Sequence, residues 1–560
     1  MKKAFLKTLI SVSLVLTLMV SGCNFLPNQN NSNNQNNTAN NGNNGNNGNN
    51  GNNGNAIDDS GNVTQSTDWN IDQFNVGGNG SNDDQDTDVA TGEFEFIPLV
   101  TDWTYDGDWQ DNYSVSYSTS FINTDNLGKY SALKSAMEKV DEDINGAALD
   151  SYRDYNDFVK ENLEYLNEDD YLNCYYYSNL TNYRSDTVMV SLMETVESYA
   201  GGAHPNTYYV SHNVDSKSGK TLEIQDVIAD KEGFYNAVID SLNKQFSQDG
   251  IGTDDLWENY EELIHNSITD PEYGCNFVMD YDSILMIYSP YELAAYAFGP
   301  VFIRVRYQDC PEVFNKTYTA YTKENIIYNN YDGMNLYMDY DNDGTEENIM
   351  VNMLYNDEYG EYDNLVIETD TAKFQDENIY GFSYDVAGAK VDGRYFVILK
   401  TSVENDYTCT YIFSVENGVI KQTDEVFGSF KSFTNPDCFF VSQRLGLLST
   451  YDGFKLSRIN SDGKVEFMDD YYTATSHIQL TALRDINGYA VDSVGAPDGE
   501  SKVIPKGSTV LIAGTDDDTY VDLRLEDGSY VRVYVDNDDW PQNIDGVDIQ
   551  ELFDGILFAG

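Results

Sequence analysis

A chain of 560 residues and 63.1 kDa has room for three or four domains of the usual ~150 residues. Lys and Arg number 32 against 94 Asp and Glu, a net charge of −62, which excludes nucleic acid as a partner: every phosphate would be repelled and no basic stripe offsets it. The 40% hydrophobic share and 44 tyrosines still supply packed cores, whereas four histidines restrict the common routes to acid–base and metal chemistry.

In chain order, Lys2, Lys3 and Lys7 make a positive start, Leu9 to Val20 an apolar stretch, and Val20-Ser21-Gly22-Cys23 sets small residues before a cysteine. This resembles the lipobox of bacterial lipoproteins. The resemblance implies that residues 1–22 are a signal peptide and that Cys23 becomes the acylated (diacylglyceryl, palmitate-type) first residue. Cleavage removes three lysines and no acids, taking the net charge from −62 to −65. Two or more acyl chains on one residue anchor stably, and no later apolar run reaches the ~18 residues a span needs. The expected location is therefore the outer face of the cell membrane, facing a wall of Gram-positive type. Residues 23–93 follow as a tether, with Asn28 to Asn55 almost entirely Asn and Gly. Such a segment buries too little to offset its ordering entropy, and ~70 residues of coil reach about 45 Å.

Residues 94–310 read as an α+β module. Tyr113, Val115, Tyr117, Thr119 and Phe121 alternate with serines, the pattern of a half-buried strand. From Leu127 to Leu166 the spacing shifts to three and four through Leu133, Met137, Ile144, Ala148, Tyr152, Tyr155 and Val159, predicting a helix or a helix pair broken at Asn145-Gly146. Strands are expected at 171–180 and 186–200, then a hairpin of Tyr208–Val214 with Thr221–Ile224. Helices follow over 231–247 and 254–267, then strands Ile284–Tyr288 and Val301–Tyr307. Strands and helices without a βαβ rhythm indicate α+β.

Three stretches of this module are distinctive: Gly201-Gly202-Ala203-His204-Pro205-Asn206, the segment Thr221-Leu222-Glu223-Ile224-Gln225-Asp226-Val227-Ile228, and Tyr288-Ser289-Pro290-Tyr291-Glu292-Leu293-Ala294-Ala295-Tyr296-Ala297-Phe298-Gly299-Pro300. In order and spacing they resemble the paired extracellular domain of unknown function found in RsiV-type anti-sigma factors and ahead of the catalytic domain in PdaC-type peptidoglycan deacetylases. The resemblance implies an envelope-facing recognition module, one that binds lysozyme in the RsiV-type sensors. It singles out Gly201, Gly202, His204, Asn206, Tyr291 and Glu292 as binding candidates. No transmembrane helix or deacetylase domain accompanies the module here, so neither direct signalling nor deacetylation is expected.

Residues 311–475 are strand-rich, with Leu365–Thr369, Tyr395–Thr401, Cys409–Val415 and Phe439–Ser442 among the strands, arranged either as a sandwich or as propeller-like hairpins. Residues 476–560 carry short strands at Gln479–Leu483, Thr509–Ala513, Val521–Leu525 and Tyr530–Val535, with a tight Asp527-Gly528 turn. Their pattern is similar to a small bacterial SH3-like β-barrel. The fold class expected for the whole is multidomain: an α+β module, a β-rich domain and this barrel.

The sharpest local motif is Asp339-Tyr340-Asp341-Asn342-Asp343-Gly344-Thr345-Glu346-Glu347. Carboxylates at alternate positions converge when a chain wraps a cation, and glycine permits the sharp turn. Asp339, Asp341, Asp343, the Thr345 carbonyl and Glu347 could supply most of the six to eight oxygens that Ca²⁺ takes, in a structural role. Met350 at the twelfth position rules out an EF-hand; the alternative is a solvated acidic turn. His204 and His212 would lie about 26 Å apart on an extended strand, so they could share a metal only if the Pro205-Asn206 turn folded them together. His265 falls on a helix and His477 in a linker. Cys409 and Cys438 could pair, as could two of Cys174, Cys275 and Cys310; all five could equally be reduced.

No nucleophile–base set, HExxH or Walker motif is present, so the chain is not expected to be an enzyme. The function expected is binding or sensing of an envelope ligand, either a cationic protein such as lysozyme, steered by the negative charge, or the peptidoglycan glycan. The alternatives are an accessory to a carboxylate-based wall hydrolase or deacetylase, and a wall spacer without enzymatic activity.

Overall fold

The computed structural model describes residues 94–558 except 125–126, 166–170, 250, 320–324, 330–335, 404–406, 476–477 and 539. The signal peptide, Cys23, the tether and His477 lie outside the described residues.

Five strands form the first sheet in chain order: β1 (Val100–Gln110), β2 (Tyr113–Asn123), β3 (Leu172–Ser185), β4 (Met189–Ala200) and β5 (Asn206–Asp215). β2 and β3 run parallel because a crossover joins them, and that crossover is the helix Ser131–Asn162; every other neighbour is antiparallel. The helix is unbroken through Asn145-Gly146. An interior glycine costs about 1 kcal/mol, less than burial of Leu133, Met137, Ile144, Ala148 and Val159 returns. This helix covers the rear of the sheet, where Val115, Cys174, Tyr176, Leu180 and Val196 point.

Helices Lys231–Asp249 and Tyr260–Thr269 pack with a second sheet, β6 (Asn276–Met279), β7 (Ser283–Tyr288) and β8 (Val301–Arg306), around Phe234, Val238, Leu242, Ile264 and Met286. That sheet lies over one end of the first sheet's front through Val278, Leu285, Ile287 and Phe302, which meet Tyr183, Met193 and Tyr209. The hairpin partner expected at Thr221–Ile224 is reduced to a Val214–Thr221 bridge. Glu223 and Asp226 cap each other's backbone there and turn Ile224–Val227 into a short helix.

The β-rich region resolves as layers. A four-stranded sheet (336–376) and a five-stranded sheet, in which strands Ser383–Val391, Arg394–Ser402 and Thr408–Glu416 are central, enclose Met338, Ile349, Leu365, Ile367, Val397, Leu399 and Phe413. This is a sandwich. The reverse of the five-stranded sheet buries Phe396, Ile398 and Ile412 against Phe439, Val441 and Ile459, which is why Tyr395 to Leu399 is apolar at every position. Arg306 on β8 pairs with Glu346 and ties the α+β module to this sandwich.

All but a short two-stranded hairpin of the remaining strands make one twelve-stranded sheet, nine strands on a single open path and three branching from it. Strand Tyr472–Ala474 pairs both Tyr451–Ile459 and Thr509–Thr515, so the 476–560 strands continue the preceding sheet, and no closed barrel occurs among the described residues. Period-two patterning marks strands without choosing their partners, which is why the barrel expectation is not met here. A bidentate pair, Arg532 with Asp522, is buried in this sheet, with Arg532 Nε 2.8 Å from Asp522 Oδ1 and the guanidinium 3.6 Å from the centre of the Tyr520 ring. Among the described residues no helix is long and apolar enough to cross a membrane.

Candidate functional site

The front of the first sheet is open from β1 to the edge of the second sheet. Register places Trp103, Tyr105, Gly107 and Trp109 of β1 on this side, opposite Ser120, Ser118, Ser116 and Ser114 of β2. Asn173, Tyr175, Tyr177 and Asn179 of β3 follow, then Thr195, Glu197 and Tyr199 of β4. The serines form a floor and aromatic rings lie across it. Trp103 is 65% exposed, Tyr105 52% and Trp109 45%, values far above those of the buried core.

The rings fall into two groups, one on β1 and one on β3 and β4, on either side of the β2 serines. Tyr105 lies 6.5 Å from Trp103 and 5.4 Å from Trp109, centre to centre. Trp109 reaches back this far because Gly107 has no Cβ; one built there would sit 2.5 Å from the indole. Tyr175 stacks on Tyr177 at 4.5 Å and meets Tyr199 at 5.9 Å. Tyr175 donates its hydroxyl to Glu197 Oε1 at 2.7 Å; burial, reinforced by that carboxylate, raises its pKa and keeps the phenol protonated.

The residues singled out by the family resemblance extend this array. Gly201 and Gly202 hold φ of 81° and 142°, which favour glycine, and Tyr199 donates its hydroxyl to the Gly202 carbonyl at 3.0 Å. The turn delivers His204 onto Tyr296, stacked at 3.6 Å, and Tyr296 donates to the Pro205 carbonyl at 2.9 Å. Tyr291, held at φ 76° and 57% exposed, lies 5.6 Å from Tyr296, with its hydroxyl 3.4 Å from His204 Nε2. A bulky residue in the left-handed region is strained, and such strain concentrates at functional positions. Asn206 begins β5, whereas the Glu292 carboxylate accepts from the Ser289 backbone at 2.7 Å and so caps its own turn. From β1 to β4, three strand gaps of ~4.8 Å give the surface a width of about 14 Å. Across it the front-facing positions from Trp103 to Tyr199 carry one carboxylate, Glu197, and no cation.

The acidic loop is wound as its motif predicts. Asp339 Oδ2 accepts from the Gly344 amide at 3.1 Å, Asp341 Oδ1 from Asp343 at 3.1 Å, and Asp343 Oδ1 from Thr345 at 2.8 Å. Carboxylate oxygens of Asp339, Asp341, Asp343 and Glu347 lie within 4.8 Å of one another. Asp339 Oδ1 is buried without a hydrogen-bond partner, and the pKa of Glu347 is raised by burial and by repulsion from Asp341 and its neighbours. Thr345 shares the loop through its amide.

The other sequence candidates are dispersed. His212 pairs with Glu194 at 3.1 Å and His265 with Glu232 at 3.1 Å, so His204 and His212 have separate partners. Cys174, Cys275, Cys310, Cys409 and Cys438 are free thiols. Burial pushes the thiols of Cys174 and Cys438 up to about 12, so at neutral pH they are inert core groups.

No family model and no curated protein matches the chain. Solved structures similar to it are DUF3298 family proteins, whose domain has no assigned function. One, from Bacteroides fragilis NCTC 9343, is 16% identical with a TM-score of 0.29, covering 39% of this chain and 94% of its own. Another, from Pseudomonas aeruginosa PAO1, is 12% identical with a TM-score of 0.29, covering 40% and 97%.

Proposed function

We propose that this protein is a lipoprotein anchored through Cys23 on the outer face of the membrane, whose α+β module captures an envelope ligand without transforming it. The open aromatic front of the first sheet carries this reading. A sheet face that keeps three large rings of one edge strand in water has surface to give to a partner. The face also offers a single carboxylate where a carboxylate-pair hydrolase needs two, which favours capture over cleavage. The 476–560 strands, SH3-like in pattern, would add a second contact to the wall.

Within the same proposal, Asp339, Asp341, Asp343 and Glu347, with the Thr345 carbonyl, hold a structural Ca²⁺. The orphaned Asp339 oxygen and the self-repelling cluster fit a hard cation. Calcium titrated calorimetrically into the full chain should give saturable heat that Asp341→Ala abolishes. At a hundredfold excess over its Kd the ion should stabilise the chain by about 2.7 kcal/mol. Absence of heat from the unsubstituted chain removes calcium from the proposal.

The capture itself is tested by incubating the full chain with insoluble peptidoglycan and with lysozyme, at low and high salt, while following muropeptide release. Saturable retention by either supports capture. New muropeptides would show an enzyme, and retention by neither would leave a spacer.

A further inference from the structure

The identity of that ligand can be taken further, resting on the capture reading above. We propose that the front face binds an uncharged, extended oligosaccharide, with its sugar rings laid across Trp103, Tyr105 and Trp109 at one end and Tyr175, Tyr177 and Tyr199 beyond.

The first argument is charge. This chain carries 94 acidic residues, yet the front positions from β1 to β4 hold one, and its oxygen already accepts from Tyr175. A cationic protein would find its complementary charge almost anywhere else on this molecule. Asp106 and Asp108 of β1 alternate onto the rear side, where Asp108 accepts from Tyr113 at 2.9 Å. An anionic polymer would be repelled by the surrounding field. A neutral ligand matches what remains.

The second argument is chemistry. Pyranose rings present apolar C–H faces and hydroxyl edges, so they are met by flat aromatic faces flanked by small hydroxyl and amide groups. The face consists of such groups: indoles and phenols over a floor in which Ser114, Ser116 and Ser120 are buried, leaving Ser118, Asn173 and Asn179 as the accessible hydroxyl and amide edge. Ser114 donates to Asn173 at 2.7 Å and Ser120 to Asn179 at 3.4 Å, which turns both amides toward the same side.

The third is shape. The array is an open platform about 14 Å across the strands from β1 to β4, long enough for two or three linked rings and too flat to enclose one small molecule.

Calorimetric titration of the full chain with β-1,4-linked N-acetylglucosamine and glucose oligomers, from dimer to hexamer, tests this. Saturable heat is expected, with affinity rising with chain length, and a Trp103→Ala/Trp109→Ala variant should weaken the hexamer at least tenfold. Tyr359→Ala, an exposed tyrosine of another hairpin, should leave it unchanged. No heat from any uncharged oligomer at millimolar concentration, or heat indifferent to the double variant, overturns the inference. If the double variant loses retention on sacculi or lysozyme while free sugars give no heat, the sugar assignment falls and capture stands. If sugars bind this face but nothing of the envelope is retained, capture falls and the sugar assignment stands.

Discussion

The two faces of the first sheet are made by the same strands and could hardly differ more. Behind, Val115, Cys174, Tyr176 and Val196 meet a 32-residue helix and are shut off from water. In front, at the alternate positions of the same strands, stand Ser114, Tyr175, Tyr177 and Tyr199, with no helix over them. Burial of the rear accounts for the existence of the sheet. The front contributes little to it, since a half-solvated antiparallel face ordinarily carries scattered small and charged residues, which cost nothing in water. Large rings where the fold does not require them, and neutral groups where composition would place acids, are the features on which the proposed capture rests.

The contrast can be broken from the rear. Leu133→Ala removes a fully buried side chain between helix and sheet and should cost about 2–5 kcal/mol in denaturant unfolding. A loss below 1 kcal/mol would mean that the helix does not hold the sheet. A smaller effect is expected at Asp141, on the same helix, whose carboxylate accepts from the Ile122 amide at 2.8 Å. Burial pushes its pKa up to about 7, with Glu138 adding repulsion against that hydrogen bond. The folded chain therefore holds a proton that the unfolded chain releases near pH 4, and stability is lost as pH rises from about 4 through 7. Asp141→Asn keeps the acceptor without the charge. It should be more stable than the parent by about 1 kcal/mol above pH 7, with the difference vanishing near pH 4. An equal difference at both pH values would refute the titration.

Half of this comparison was readable from sequence. The alternation in Tyr113–Phe121 and the three-and-four spacing from Leu133 to Val159 name the strand and the helix that covers it, because apolar periodicity follows burial directly. The acidic loop was readable too, since its four carboxylates come from one short stretch. The edge strand β1 was not. Trp103, Tyr105, Gly107 and Trp109 do alternate, but the residues between them are Thr104, Asp106 and Asp108, and a strand whose single aliphatic residue is Val100 at its start resembles a loop. The assembled face was beyond reach for another reason. Tyr175, Tyr199, His204 and Tyr296 meet only through sheet register and a strained turn. Net charge is an average over the whole chain and does not register that this face carries a single carboxylate.

The smallest expected effect on stability sharpens the contrast most. Trp103, Tyr105 and Trp109 sit on an edge strand paired with β2 alone, and their rings touch mainly one another and the serine floor. Truncating any one to Ala loses ring–ring contact and some β propensity but opens no cavity, because water already reaches the site. Each single variant should therefore shift unfolding by no more than about 0.5 kcal/mol, an order of magnitude below Leu133→Ala at its upper limit. Retention on the envelope should fall all the same. A cost of 2 kcal/mol or more at these positions would show that the rings brace β1 itself, and their exposure would then need no partner to explain it.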